Sequence, residues 1–124
     1  MPVTLDLESV PGAVIGVARG DLTLPEIKDS AATAWRLVEG PDVRMLWDLR
    51  DARFSLAPGE VRDLAEFVKQ AARSPGARVA FVVSGDLEFG LIRMFEVYRD
   101  EKDTSTSVFR DRDQALAWLA GGAE

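Results

Sequence analysis

The chain has 124 residues, 47% of them hydrophobic and 29% charged, with no histidine, no cysteine and a formal net charge of -6. That length and balance describe one globular domain over residues 1–124, large enough to bury its own core. The acidic charge argues against nucleic acid and anionic membranes, which are bound through clustered Lys and Arg. Without His or Cys there is no Ser-His-Asp triad, no thiol nucleophile, no imidazole acid or base, and no thiolate or imidazole zinc site. No transmembrane segment is expected, because no apolar run approaches the roughly 20 residues that span a bilayer. The start MPVTLDLESV lacks the basic end and apolar stretch of a signal peptide. The expected location is cytoplasmic, and no cofactor is implied.

VTLDLE alternates apolar Val3, Leu5 and Leu7 with polar Thr4, Asp6 and Glu8, the period of a half-exposed edge strand. Pro11-Gly12 supplies a turn, and the apolar run AVIGVARG completes an antiparallel hairpin. Thr23 and Glu26 have capping-box spacing with Pro25 in the first turn, opening a helix that buries Ile27, Ala31, Ala34, Trp35 and Val38 before Gly40-Pro41. VRMLWDLR, Val43 to Arg50, is the next strand, and the loop DARFSLAPG leads to a helix from Pro58. That helix buries Val61, Leu64, Ala65, Val68 and Ala72 and stops at Ser74-Pro75-Gly76. ARVAFVVSG is unbroken enough for a strand covered on both faces. Asp86 then caps a third helix, STSVFR forms the last strand, and Asp111 with Gln114 opens the final helix. The order β-β-α-β-α-β-α-β-α predicts an α/β fold with right-handed crossovers and a mainly parallel sheet.

Open parallel sheets bind ligands beyond the carboxyl ends of their strands, which here carry Arg19-Gly20-Asp21, Asp48-Leu49-Arg50-Asp51 and Ser84-Gly85-Asp86. Asp48 and Asp51 have the oxygen atoms to hold Mg²⁺ or share a proton. The plainer roles are turns, caps and ion pairs, Asp48 with Arg50 or Arg53. No Walker or dinucleotide glycine pattern accompanies them, and RDEKDTSTS lacks the alternation and glycine of a calcium loop. No catalytic residue and no metal site is assigned. Trp35, Trp47 and Trp118 lie on apolar faces, where core packing is the expected role.

The third helix carries the surplus. At about 100° per residue, Leu87, Leu91, Met94, Phe95 and Tyr98 form a stripe for the sheet, while Phe89, Ile92 and Val97 fall outside it. This second edge is covered by the protein's own core, by a protein partner or second copy, or by a small apolar ligand suited to a Met and aromatic lining. Phe89, Ile92, Met94, Val97 and Tyr98 are therefore the ligand or interface candidates.

MLWDLRDARFS, FGLIRMFEVYRD and VFRDRDQALAWL together resemble the bacterial SpoIIAA-like group, which is related to STAS domains and more distantly to the CRAL-TRIO lipid-binding fold. The resemblance spans nearly the whole chain and implies a five-stranded mixed sheet flanked by helices. In STAS antagonists of anti-sigma factors, a phosphorylatable Ser preceded by Asp opens the helix after the third strand. The matching position falls at Leu56-Ala57, without Asp-Ser, which leaves Ser55 as the candidate phosphoacceptor. The implied function is a non-enzymatic binding or interaction module acting through helix 86–100 on a protein partner or on a second copy as a homodimer. The CRAL-TRIO side implies instead carriage of a small apolar ligand or lipid between helices and sheet.

Overall fold

The computed structural model describes residues 3–7, 12–38, 42–71, 76–99 and 104–121. Its elements are β1 (Val3–Asp6), β2 (Ala13–Asp21), α1 (Leu24–Leu37), β3 (Arg44–Arg53), α2 (Pro58–Ala71), β4 (Ala77–Val82), α3 (Asp86–Arg99), β5 (Thr104–Phe109) and α4 (Arg112–Leu119). The strands form one sheet in the order β1-β2-β3-β4-β5, with β1 antiparallel to β2 and the other neighbours parallel. The expected α/β class, element order and mixed, mainly parallel sheet are all present.

Because the parallel strands follow one another in chain order, each right-handed crossover returns over the same face. Met45, Trp47 and Val79 accordingly pack with Ala34 and Trp35 of α1. Ala18 and Ala52 pack with Val61, Ala65 and Val68 of α2 and with Leu91, Ile92 and Phe95 of α3. Alternate residues point the other way: Ala13, Ile15, Leu46, Ala80 and Val82 meet Ala115 and Leu119 of α4. This double coverage explains why β2 and β4 are continuous apolar runs, not alternating ones.

Local chemistry fixes the helix starts. Thr23 caps α1: its hydroxyl accepts the Glu26 N–H at 3.3 Å, and the Glu26 carboxylate accepts the Thr23 N–H at 2.9 Å. Ala57 has no side-chain acceptor, but Glu60 reaches back to its N–H at 2.9 Å, making half of the same motif at α2. The Asp111 carboxylate accepts the N–H groups of Asp113 and Gln114 at 2.7 and 3.1 Å to start α4.

Three readings are corrected. β3 does not stop at Arg50 but continues to Arg53, because the backbone accommodates an extra residue between Asp48 and Asp51 and resumes pairing. Asp86 is the first residue of α3, not its cap; the Phe89 N–H bonds the Gly85 carbonyl, and the Asp86 carboxylate accepts from Arg110 at 2.7 Å. The buried stripe of α3 is rotated: Ile92 lies inside with Leu91 and Phe95, while Leu87 is 57% exposed. Packing on both α2 and the sheet centres the covered arc on Leu91, Ile92 and Phe95. The Gly40-Pro41 and Ala72 to Pro75 stops lie outside the described residues.

One glycine is required by contact. The Trp47 indole crosses β2 at Gly16, where an added Cβ would penetrate the ring. Gly16→Ala is expected to destabilise the fold by about 1–3 kcal/mol through overpacking, read as a lower urea midpoint at unchanged slope. Adding Trp47→Leu should recover part of that loss; a G16A protein as stable as the parent would contradict the contact.

Candidate functional site

Between the sheet and the α1–α2–α3 layer lies a cavity of about 100 Å³. Ala18, Trp47, Leu49, Phe54, Val79 and Phe81 form its sheet side. Ile27, Ala31 and Trp35 enter from α1, Val61, Leu64 and Val68 from α2, and Leu91, Ile92 and Phe95 from α3. Leu22 and Leu56 line it from the connecting segments, and Val3 reaches it from the edge strand. The indole nitrogens apart, Ser30 and Thr106 supply its polar side chains. The Ser30 hydroxyl is already spent on the Glu26 carbonyl at 2.9 Å. Ala18 on the sheet and Ala31 on α1 are the alanines of its lining.

The structure separates the five α3 candidates. Ile92 is buried and lines the cavity. Met94 is partly buried against the same cluster. Phe89 lies beneath the Arg110 guanidinium, 4.6 Å from the ring centroid, and Tyr98 beneath that of Arg62 at 5.3 Å. Val97 stands 72% exposed. One candidate thus belongs to the cavity, three are partly covered from within the chain, and Val97 faces outward. Trp35 and Trp47, read only as core, also line the cavity; Trp118 lies on the α4 face, with Arg78 over its ring at 4.9 Å. No pattern in the sequence singled the cavity out, since alanines are spread through the whole layer.

Glu96 of α3 is bonded to Thr106, the cavity-lining residue of β5. Its Oε2 accepts a long 3.5 Å hydrogen bond from the hydroxyl of Thr106, and its buried Oε1 has no partner among the described residues. Burial raises its pKa, opposed by the positive charge of Arg93 and by the Thr106 bond.

At the carboxyl end of β3, Asp48 is buried although charged. Arg50 holds it with two guanidinium bonds, Nε to Oδ1 at 2.9 Å and Nη2 to Oδ2 at 2.8 Å, and Arg112 of α4 adds a third at 3.3 Å. The hydrogen bonds from Arg50 hold the Asp48 carboxyl below the usual carboxylate range, against the opposing effect of burial. Its oxygens are thus occupied by arginines, while Asp51, read beside it as a possible proton-sharing or Mg²⁺ partner, is exposed beyond the bulge. Arg53, the alternative partner read for Asp48, pairs with Asp21 at 3.3 Å instead. Asp48 also accepts the Arg50 backbone N–H at 3.3 Å, and the Ser84 hydroxyl donates to the Arg50 carbonyl at 2.8 Å. Those bonds satisfy backbone groups that the bulge removes from the ladder. Ser55 is exposed on the connection between β3 and α2.

Comparison with known proteins bears on the fold. No family model matches the chain, and no curated protein matches it. A solved structure of an uncharacterized DUF3478-family protein with a SpoIIAA-like fold, from Shewanella loihica PV-4, superimposes with a TM-score of 0.59 at 20% sequence identity. The match covers 94% of this chain and 91% of that one. The protein therefore has a SpoIIAA-like α/β fold, and the resemblance read from its sequence holds at that level. Among the described residues, no helix is long and apolar enough to cross a membrane.

Breaking the Asp48 clamp should cost stability, not expose a lost catalytic group. Asp48→Asn is expected to destabilise by about 2 kcal/mol, the range of hydrogen bonds to charged groups; Arg50 and Arg112, with side chains 44% and 34% exposed, can turn to water. Because the folded pKa is lowered, the contribution of Asp48 is fully present above the ordinary aspartate value of about 3.9 and is lost as pH falls below it. Urea unfolding from pH 7 to pH 2 should therefore show a shallower acid limb for D48N than for the parent. Parallel limbs would contradict the assignment.

Proposed function

We propose that this chain is a non-catalytic binding domain whose site is the apolar cavity between sheet and helices, and whose ligand is a small apolar molecule. The observation that carries this reading is the cavity itself. At roughly 24 cal/mol per Å³, about 100 Å³ of unfilled space costs on the order of 2 kcal/mol, a large fraction of the stability of an ordinary domain. An occupant of about the size of a benzene ring would restore those contacts. The absence of His and Cys from the sequence and the engagement of Asp48 by two arginines support a binding role over catalysis.

A second reading, an interaction module acting through α3 on a protein partner or a second copy, draws support from the exposure of Leu87 and Val97, 57% and 72%. It is the narrower of the two, because Ile92, the strongest apolar residue on the proposed edge, is turned into the cavity. For a phosphorylation switch, Ser55 has exposure in its favour but lacks the preceding Asp of the antagonists.

Toluene is the direct probe. Saturating it at 100 times its dissociation constant should stabilise the protein by about 2.7 kcal/mol through mass action, raising the melting temperature. Ala31→Leu, which places a larger side chain in the same space, should abolish that rise while leaving the ligand-free fold intact. A melting temperature indifferent to toluene would remove the cavity reading. Sedimentation velocity then tests the second: a dimer that Val97→Glu converts to monomer would favour association through α3.

A further inference from the structure

The cavity has one end with unfinished hydrogen bonding. Thr106 lines it from β5, and its hydroxyl donates toward Glu96 Oε2 at 3.5 Å, a length at the weak limit of a hydrogen bond. The other Glu96 oxygen, Oε1, is buried without a partner among the described residues. A half-buried carboxylate with one buried oxygen unpartnered and the other held by one long bond is under-satisfied, a condition native structures rarely leave without a reason. With its proton directed at Glu96, the Thr106 oxygen keeps its lone pairs for a donor arriving from the cavity.

We infer that Thr106, oriented by Glu96, is the polar anchor of the cavity, and that the ligand is an apolar molecule bearing a neutral hydrogen-bond-donating hydroxyl. This rests on the cavity being the binding site. The ligand O–H donates to Thr106 Oγ1 and Thr106 donates to Glu96, so each bond in the chain polarises the next. The same arrangement selects against acids. A ligand carboxylate would bring a second negative charge to Glu96 and would lack the proton that the Thr106 oxygen accepts. The rest of the lining offers an aliphatic or aromatic body nothing but apolar contact, apart from the spent Ser30 hydroxyl and the two indole nitrogens. Thr106 thus sets the chemical class of the ligand, and residues such as Ala31 and Ile92 set its size.

Three probes of similar shape separate the possibilities in the intact chain: toluene, benzyl alcohol and benzoate, each titrated calorimetrically. Toluene reports apolar burial alone, and comparison across variants cancels the differing cost of dehydrating each probe. Thr106→Val, which keeps the shape and β-branching of the side chain, should weaken benzyl alcohol about tenfold, as expected for loss of one hydrogen bond to a charge-assisted acceptor, while toluene is unchanged or tighter. Thr106→Ser should retain the alcohol. Benzoate should fail to bind the parent, and Glu96→Gln should lower that barrier. Equal effects of Thr106→Val on alcohol and toluene, or benzoate binding as well as the alcohol, would overturn the anchor while leaving the cavity as the site. Failure of all three probes in the parent would overturn the cavity reading, and the anchor would fall with it.

Discussion

One extra residue in β3 decides which side chains reach the interior of this protein. Up to Leu49 the odd-numbered residues face the helical layer, as Met45 and Trp47 do. Strict alternation would next send Asp51 and Arg53 into the same layer. The register shift opposite Val17 to Arg19 reverses that parity, so that Ala52 and Phe54 are buried and Asp51 and Arg53 stand in solvent. The wall of the cavity at its carboxyl end is therefore a product of the bulge. The bulge in turn depends on Asp48 and Ser84, which take up the N–H and C=O of Arg50 that a regular ladder would have paired.

This dependence places a buried charge at the structural centre with both of its oxygens engaged by arginines. A carboxylate removed from water is tolerated when its oxygens are filled, and those of Asp48 are filled by Arg50 and Arg112. An isolated buried ion pair is weak evidence for stability, because desolvation consumes much of the attraction. Here the same oxygens also satisfy a backbone group, so apolar replacement would leave an orphan N–H as well as two arginines. Geometry of the chain, more than net attraction between charges, is what the cluster secures.

Most of the architecture was legible because local rules and global packing agree. Thr23 with Glu26 and Asp111 with Gln114 are chemical starts that operate within four residues, and they occur where they were read. The continuous apolar runs of β2 and β4 follow directly from two-sided coverage, whereas the alternation read through VTLDLE holds only for Val3 to Leu5, since β1 ends at Asp6 and Leu7 is exposed. The bulge was not legible, since LWDLRDAR shows only a break in alternation that a loop explains equally well. The rotation of α3 was hidden for a related reason. A helix packed on two surfaces has a covered arc wider than a single stripe, and GLIRMFEVYR has apolar residues enough to satisfy several choices of centre. The cavity itself is a matter of missing volume, and sequence records the side chains that are present.

The two faces of the sheet consequently carry different parts of the protein's chemistry. On the α4 face, Arg112 reaches Asp48 and Arg78 lies over Trp118 while donating to its carbonyl, so the last helix is fastened by charge as well as by Ala115 and Leu119. On the opposite face, α1, α2 and α3 line apolar space, where Thr106 is bonded to the under-satisfied carboxylate of Glu96. The bulge connects them: a single stretch of backbone presents Asp48 to the terminal helix and, four to six residues later, Ala52 and Phe54 to the interior. Changes at the charged face should therefore be felt first as loss of fold stability. On the helical face the groups that can do more than exclude water form a far smaller set, above all Thr106 and Glu96, and the proposed discrimination among ligands rests on them.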